Sequence, residues 1–197
     1  MLLAINKDKF EQFDGRRWLS FEVDNGRYRE IYQNRSYQDW EQLLKQASIT
    51  EIKPIGNGVT RSKKVYLEHD GLHFKAIFKT ENIIPKNAKT EQYRNTDSYA
   101  YEIAACRIDR GLGLNMIPPT ILRTINRKKG SLQLWIDYTF NDVDRIKDKR
   151  YPSEPCVLSY QASLLNMFDI LIYNEDRTLS SILYTEADWL MWMIDHS

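Results

Sequence analysis

Three short runs between residues 51 and 79 constrain this chain more than any other feature. They are Glu51-Ile52-Lys53-Pro54-Ile55, Lys64-Val65-Tyr66-Leu67-Glu68 and Phe74-Lys75-Ala76-Ile77-Phe78-Lys79. Gly56-Asn57-Gly58 fills the first gap and His69-Asp70-Gly71 the second. Apolar residues alternate with polar ones at the period of a strand, and glycine-bearing turns of this kind join antiparallel neighbours. The pattern predicts a three-stranded antiparallel unit with a glycine loop at its first turn.

The flanking sequence supplies further elements. Residues 17–34 carry Trp18, Phe21, Val23, Tyr28 and Ile31 around Asp24-Asn25-Gly26, a hairpin signal. Ser36 can cap a helix holding Trp40, Leu43 and Leu44 at helical spacing. Residues 80–96 are polar and read as a loop. A helix follows with Asp97 as its cap, a stripe of Ala100, Ile103, Ala104, Ile108 and Leu112, and Gly113 at its end. Pro118-Pro119 forces extension into a strand at Thr120–Thr124, Asn126 to Gly130 turns the chain, and Ser131 to Ile136 returns as a strand. Residues 141–155 suit a surface connection, Leu158 to Tyr173 a buried helix, and residues 181–184 and 190–194 two short strands.

With 197 residues, 42% of them hydrophobic, the chain can bury one substantial core or two small lobes sharing a cleft. A formal charge of +1 provides no global field that would draw it onto nucleic acid or an anionic membrane. Trp135, Trp189 and Trp192 lie on apolar strands, where core or pocket packing outweighs contact with bases, so no nucleic acid is expected as a partner. Cys106 and Cys156 make neither a zinc site nor a disulfide framework. The N-terminus lacks the apolar core of about 7 to 15 residues of a secretory signal, and no run reaches the roughly 20 apolar residues of a membrane span. Cytoplasmic residence is the expectation.

Phosphoryl transfer from a nucleotide needs backbone over the phosphates, a fixed cation, ligands for magnesium and a group that orients the attacking oxygen. Gly56, Gly58 and Thr60 could let backbone N–H groups and a hydroxyl approach a phosphate, or could form only a turn. Lys79 ends an apolar strand. Glu102 is the only carboxylate in a run of small and apolar residues, and is either Lys79's buried partner or the exposed edge of its helix. Asp176-Arg177 follows a helix and precedes two strands, the setting of a catalytic loop. Ser181 stands five positions later, and Asp195 ends the next apolar strand. His196, beside it, reads as a structural hydrogen-bonding group.

Several segments taken together resemble the bacterial branch of the phosphatidylinositol 3- and 4-kinase-like atypical kinases. They are Gly56-x-Gly58-Val59-Thr60, Ala76-Ile77-Phe78-Lys79, Tyr101-Glu102-Ile103-Ala104-Ala105, Ile117-Pro118-Pro119-Thr120, Gly130-Ser131-Leu132-Gln133, Asp176-Arg177 and Ile194-Asp195-His196-Ser197. The branch is distantly similar to the HipA kinases and the secretory-pathway casein kinases, and the resemblance runs from about residue 40 to Ser197.

The resemblance implies an α+β, bilobal protein-kinase-like fold with an antiparallel N-lobe sheet. Residues 1–48 are then an N-terminal extension, 49–136 the N-lobe and hinge, and 137–197 an abbreviated C-lobe. It implies ATP and Mg2+ as cofactors, with Gly56, Gly58 and Thr60 over the phosphates and Lys79 on them, paired with Glu102. Gln133, Leu134, Trp135 and Ile136 would lie along the adenine. Asp176 would be catalytic, and Asp195 and Ser181 would face the metal. Ser181 replaces the usual Asn and Thr178 the usual His, and the sequence stops two residues past Asp195, before an activation segment. Three functions use these parts: phosphoryl transfer to an unknown protein, lipid or small-molecule acceptor, nucleotide binding by an interaction module, or AMP transfer.

Overall fold

The computed structural model describes residues 35–55, 62–83, 97–153, 155–186 and 188–196, without the side chains of residues 83 and 155–157. The hairpin expected around Asp24-Asn25-Gly26 and the loop with Gly56, Gly58 and Thr60 lie outside the described residues.

Helix α1 (Tyr37–Gln46) leads into the meander β1 (Ser48–Pro54), β2 (Lys63–His69) and β3 (Leu72–Lys79). Asp70 and Gly71 take φ of 49° and 79° in the turn joining β2 to β3, the left-handed pair that matches the twist of a tight hairpin. Two further strands, β6 (Thr120–Ile125) and β7 (Lys128–Leu134), complete a five-stranded antiparallel sheet in the order β1-β2-β3-β7-β6. Between them come the short pair β4 (Asn82–Ile83) and β5 (Asp97–Ser98), then helix α2 (Tyr99–Gly111). The turn before β7 is Asn126-Arg127, both at positive φ, and Lys128 to Gly130 already belong to the strand.

Period-two alternation divides the sheet into unlike faces. Val65, Leu67, Phe74, Ala76, Phe78, Leu132 and Leu134 share one apolar cluster with Trp40, Leu44 and Ala47 at α1. Lys75, Ile77 and Lys79 take the opposite face, with Lys64 and Gln133 opposite Ile77 and Ser131 opposite Lys79. Helix α1 is fastened at both ends. Ser36 and Asp39 form a reciprocal capping box at its start. At its end Arg123 of β6 donates to the carbonyls of Leu44 and Ala47 at 2.5 and 2.7 Å. Arg110 of α2 pairs with Glu41 and stands 5.4 Å from the centroid of the Tyr37 ring.

Helix α2 departs from its apolar pattern. Ser98, not Asp97, caps it, accepting from the Ala100 N–H at 3.2 Å, while Asp97 pairs with Ile83. Its buried residues are Glu102, Ile103, Ala105, Cys106 and Asp109, whereas Ala104, Ile108 and Leu112 of the expected stripe are exposed. The rotation follows from two inward carboxylates that each meet donors. Asp109, fully buried, accepts from the N–H groups of Met116 and Ile117 at 3.0 and 3.3 Å. Asp109→Ala leaves both donors buried without it, so a loss of about 2–4 kcal/mol in urea denaturation is expected.

The second half builds a three-stranded sheet, β10-β9-β8, from β8 (Thr139–Asn141), β9 (Ile182–Thr185) and β10 (Met191–Met193). The expected surface connection contains helix α3 (Asp142–Lys147), capped by the Asn141 side chain, with acidic residues first and basic residues last. Helix α4 (Pro155–Ile172) was expected to be buried, but only one side is. Leu165 and Phe168 sit in a second apolar cluster with Met116, Ile117, Met191 and Met193, while Met167, Ile170 and Leu171 are exposed. Strand β10 stands between the two cores: Trp192 belongs to the first, and its neighbours Met191 and Met193 to the second. The residues that follow it are thus fixed where the cores meet.

Candidate active site

Lys79 ends β3 with a side chain only 14% exposed. Its ammonium donates to Glu102 of α2 and to Asp195, whose side chain is 49% exposed. Glu102, 2% exposed, also accepts from the His196 backbone N–H and lies against His196 Nδ1, each at 3.2 Å. Lys79, Glu102, His196 and Asp195 therefore close a ring of contacts joining β3, α2 and the segment after β10. Burial works against the Lys79 ammonium, but the two carboxylates outweigh it and hold its pKa above the ordinary lysine value. Burial likewise disfavours the Glu102 carboxylate, and His196 and Lys79 outweigh it, holding the carboxyl far below the usual range. Of the two readings of Glu102, the buried partner is the one observed.

The end of β3 depends on Gly130. A Cβ built there would lie 2.1 Å from the Lys79 carbonyl oxygen and 2.9 Å from the Phe78 ring. Backbone cannot yield as a flexible side chain can. Gly130→Ala is expected to cost about 1–3 kcal/mol and to displace Lys79 from Glu102; unchanged urea denaturation would show that β7 accepts the methyl group.

The other expected site residues divide. Asp176 is exposed, in the loop after α4, and Arg177 beside it reaches the backbone that carries Asp195. Ser181 is buried, and its hydroxyl is committed locally: it donates to the Thr178 carbonyl at 2.9 Å and accepts from the Thr178 N–H at 3.3 Å. Such a hydroxyl stabilises the turn. Among the residues expected along a base, Gln133 donates to Thr120 Oγ1 at 3.0 Å, and Ile136 lies in the first apolar cluster. The N–H groups of Leu134 and Trp135 are taken by the carbonyls of Pro119 and Lys75, at 2.8 and 2.9 Å. The Trp135 ring carries the Lys64 ammonium 3.4 Å from its centroid, and Lys75 pairs with Asp137.

Sequence reasoning did not find the partnership of His196 with Glu102, nor Asp169, which pairs with Arg177. The apolar setting of Asp169 inside α4 was its one signal. Among the described residues no three His, Cys, Asp or Glu side chains converge on a metal. None of their helices is long and apolar enough to cross a membrane.

The mixed α+β architecture, the five-stranded antiparallel sheet and the strand lysine bridged to a helix glutamate define a protein-kinase-like fold. The structure of hydra Fam20 with sugar matches with a TM-score of 0.57 over 96% of this chain and 70% of that one, at 16% sequence identity. No family model matches the sequence, and no curated protein matches it significantly. At this identity the likeness establishes the fold.

Proposed function

We propose that the chain binds Mg·ATP and transfers its γ-phosphoryl group, as a member of the atypical lipid- and protein-kinase-like group. The observation that carries this reading is the Lys79 ammonium held between buried Glu102 and half-exposed Asp195. A cation so fixed is oriented before substrate arrives, which is how electrostatic stabilisation of a phosphoryl group is obtained.

The residues present suit magnesium in one respect. Mg2+ is commonly held by one or two carboxylates together with phosphate oxygens and water, and Asp195 offers an accessible carboxylate. Asp195 would hold it without Ser181, whose hydroxyl is committed to Thr178. Bound Mg·ATP supplies the electrophilic phosphorus and a leaving group. Lys79, held by Glu102, would be the residue to meet a phosphate oxygen. Asp176 would accept the proton of the acceptor hydroxyl as its oxygen bonds to phosphorus and the bond to the β-phosphate breaks.

The test uses ATP labelled separately at the γ and α phosphates. Transfer of γ label that is lost in Asp176→Asn is the expected result. Transfer of α label instead would replace this reading with AMP transfer. Binding without transfer of either label would make the chain a nucleotide-binding module, an alternative favoured by the commitment of the Ser181 hydroxyl.

A further inference from the structure

Arg177 makes a set of contacts that neither a surface ion pair nor the phosphoryl-transfer chemistry requires. Its Nε and Nη2 donate to Oδ2 and Oδ1 of Asp169 at 2.9 and 2.8 Å, a two-pronged pair with both side chains 10% exposed. Its Nη1 donates to the Ile194 carbonyl at 2.5 Å and lies 3.4 Å from the Asp195 carbonyl and 3.5 Å from Ser181 Oγ. Only a guanidinium has enough donors, in a fixed plane, to serve a carboxylate and two carbonyls at once.

Asp169 has a second task. It belongs to α4, and its Oδ1 accepts from the Asn174 amide at 3.0 Å while its carbonyl accepts from the Asn174 N–H at 2.9 Å. The loop that carries Asp176 is therefore fixed to Asp169 directly. The backbone before Asp195 is fixed to the same residue through Arg177. Asp195 needs such support, because its φ of 61° lies in the left-handed region that a non-glycine residue enters at a cost. One peptide earlier, the Ile194 N–H donates to the Ser181 carbonyl at 3.1 Å. Asp176 and Asp195 thus share one origin in α4.

We propose that Arg177, clamped by Asp169, is a positioning residue that sets Asp195 against Lys79 and in register with Asp176. The inference rests on the phosphotransfer reading for its functional consequence, and its structural part can be judged without it. Arg177→Lys keeps the charge but cannot grip both Asp169 oxygens and still reach the Ile194 and Asp195 carbonyls, and Asp169→Asn weakens the clamp from the other side.

In both variants hydrogen exchange at Ile194 and His196, whose N–H groups are bonded to Ser181 and Glu102, should accelerate about tenfold or more while the β6–β7 amides keep their rates. The magnesium concentration for half-maximal ATP binding should rise about ten- to hundredfold, with metal-free ATP binding unaltered. The double variant should match the singles, since both break one clamp. Unchanged exchange at Ile194 and His196 in a folded Arg177→Lys protein would overturn the proposal. So would faster exchange with an unmoved magnesium midpoint, which would reduce Arg177 to a structural role. If wild type shows no magnesium-dependent ATP binding at all, the phosphotransfer reading falls, and exchange alone then decides the clamp.

Discussion

Lys79→Met should abolish phosphoryl transfer and lower folding stability by about 3–5 kcal/mol, the cost of leaving one partner of a buried pair behind. Methionine fills much the same space, so the loss is one of charge and hydrogen bonding. Glu102 would keep the donors of His196 but remain an anion with 2% of its side chain exposed and no lysine beside it. The contact to Asp195 contributes little to the expected loss, because that carboxylate is half in solvent and water can replace the ammonium. Urea denaturation and γ-label transfer measure the two effects separately. A loss below about 1 kcal/mol would mean that the Glu102 site relaxes and admits water on truncation.

Acid should destabilise the wild type more steeply than it does Glu102→Gln. The folded carboxyl sits far below the ordinary value because His196 and Lys79 outweigh its burial. In the unfolded chain a glutamate takes up its proton near pH 4.3, at about the model-peptide value. Below that pH the unfolded state binds one proton more than the folded state, so this group's stabilisation shrinks as pH falls, by about 1.4 kcal/mol per pH unit. Above it the contribution is constant. The glutamine variant should be less stable at neutral pH and should show an acid slope smaller by that amount. Denaturant titrations between pH 3 and 7 would settle it, and identical slopes in the two proteins would dismiss the depressed carboxyl as the cause.

The meander could be read in advance because its information is local: alternation, glycine turns and a lysine where the apolar run stops. Helix α2 could not be oriented that way. Its apolar residues point to one face and the fold uses another, because Glu102 and Asp109 find donors that lie elsewhere in the sequence. His196 is 94 residues from Glu102, a distance at which no spacing rule operates. Helix α3 was hidden by its charge, which reads as a loop until the Asn141 cap and the ordering of acidic and basic residues are noticed. Ser181 follows from counting five from Asp176. Counting carries no information about where a hydroxyl turns, and here it turns back to Thr178.

The fastening of α1 bears on how such a site can be controlled. Arg110 grips α1 from α2, and Arg123 grips it from β6. The glutamate-bearing helix is therefore splinted from outside by a segment that precedes the sheet. An outward swing of α2 that separated Glu102 from Lys79 would have to part Arg110 from Glu41 and Tyr37, free the Met116 and Ile117 amides from Asp109, and draw His196 out of a buried site. Those contacts lie along the whole helix and would have to fail together. The bridge at Lys79 is thus preassembled, and a signal that governs this site would act more easily through exposed Asp176 or half-exposed Asp195 than by turning the helix.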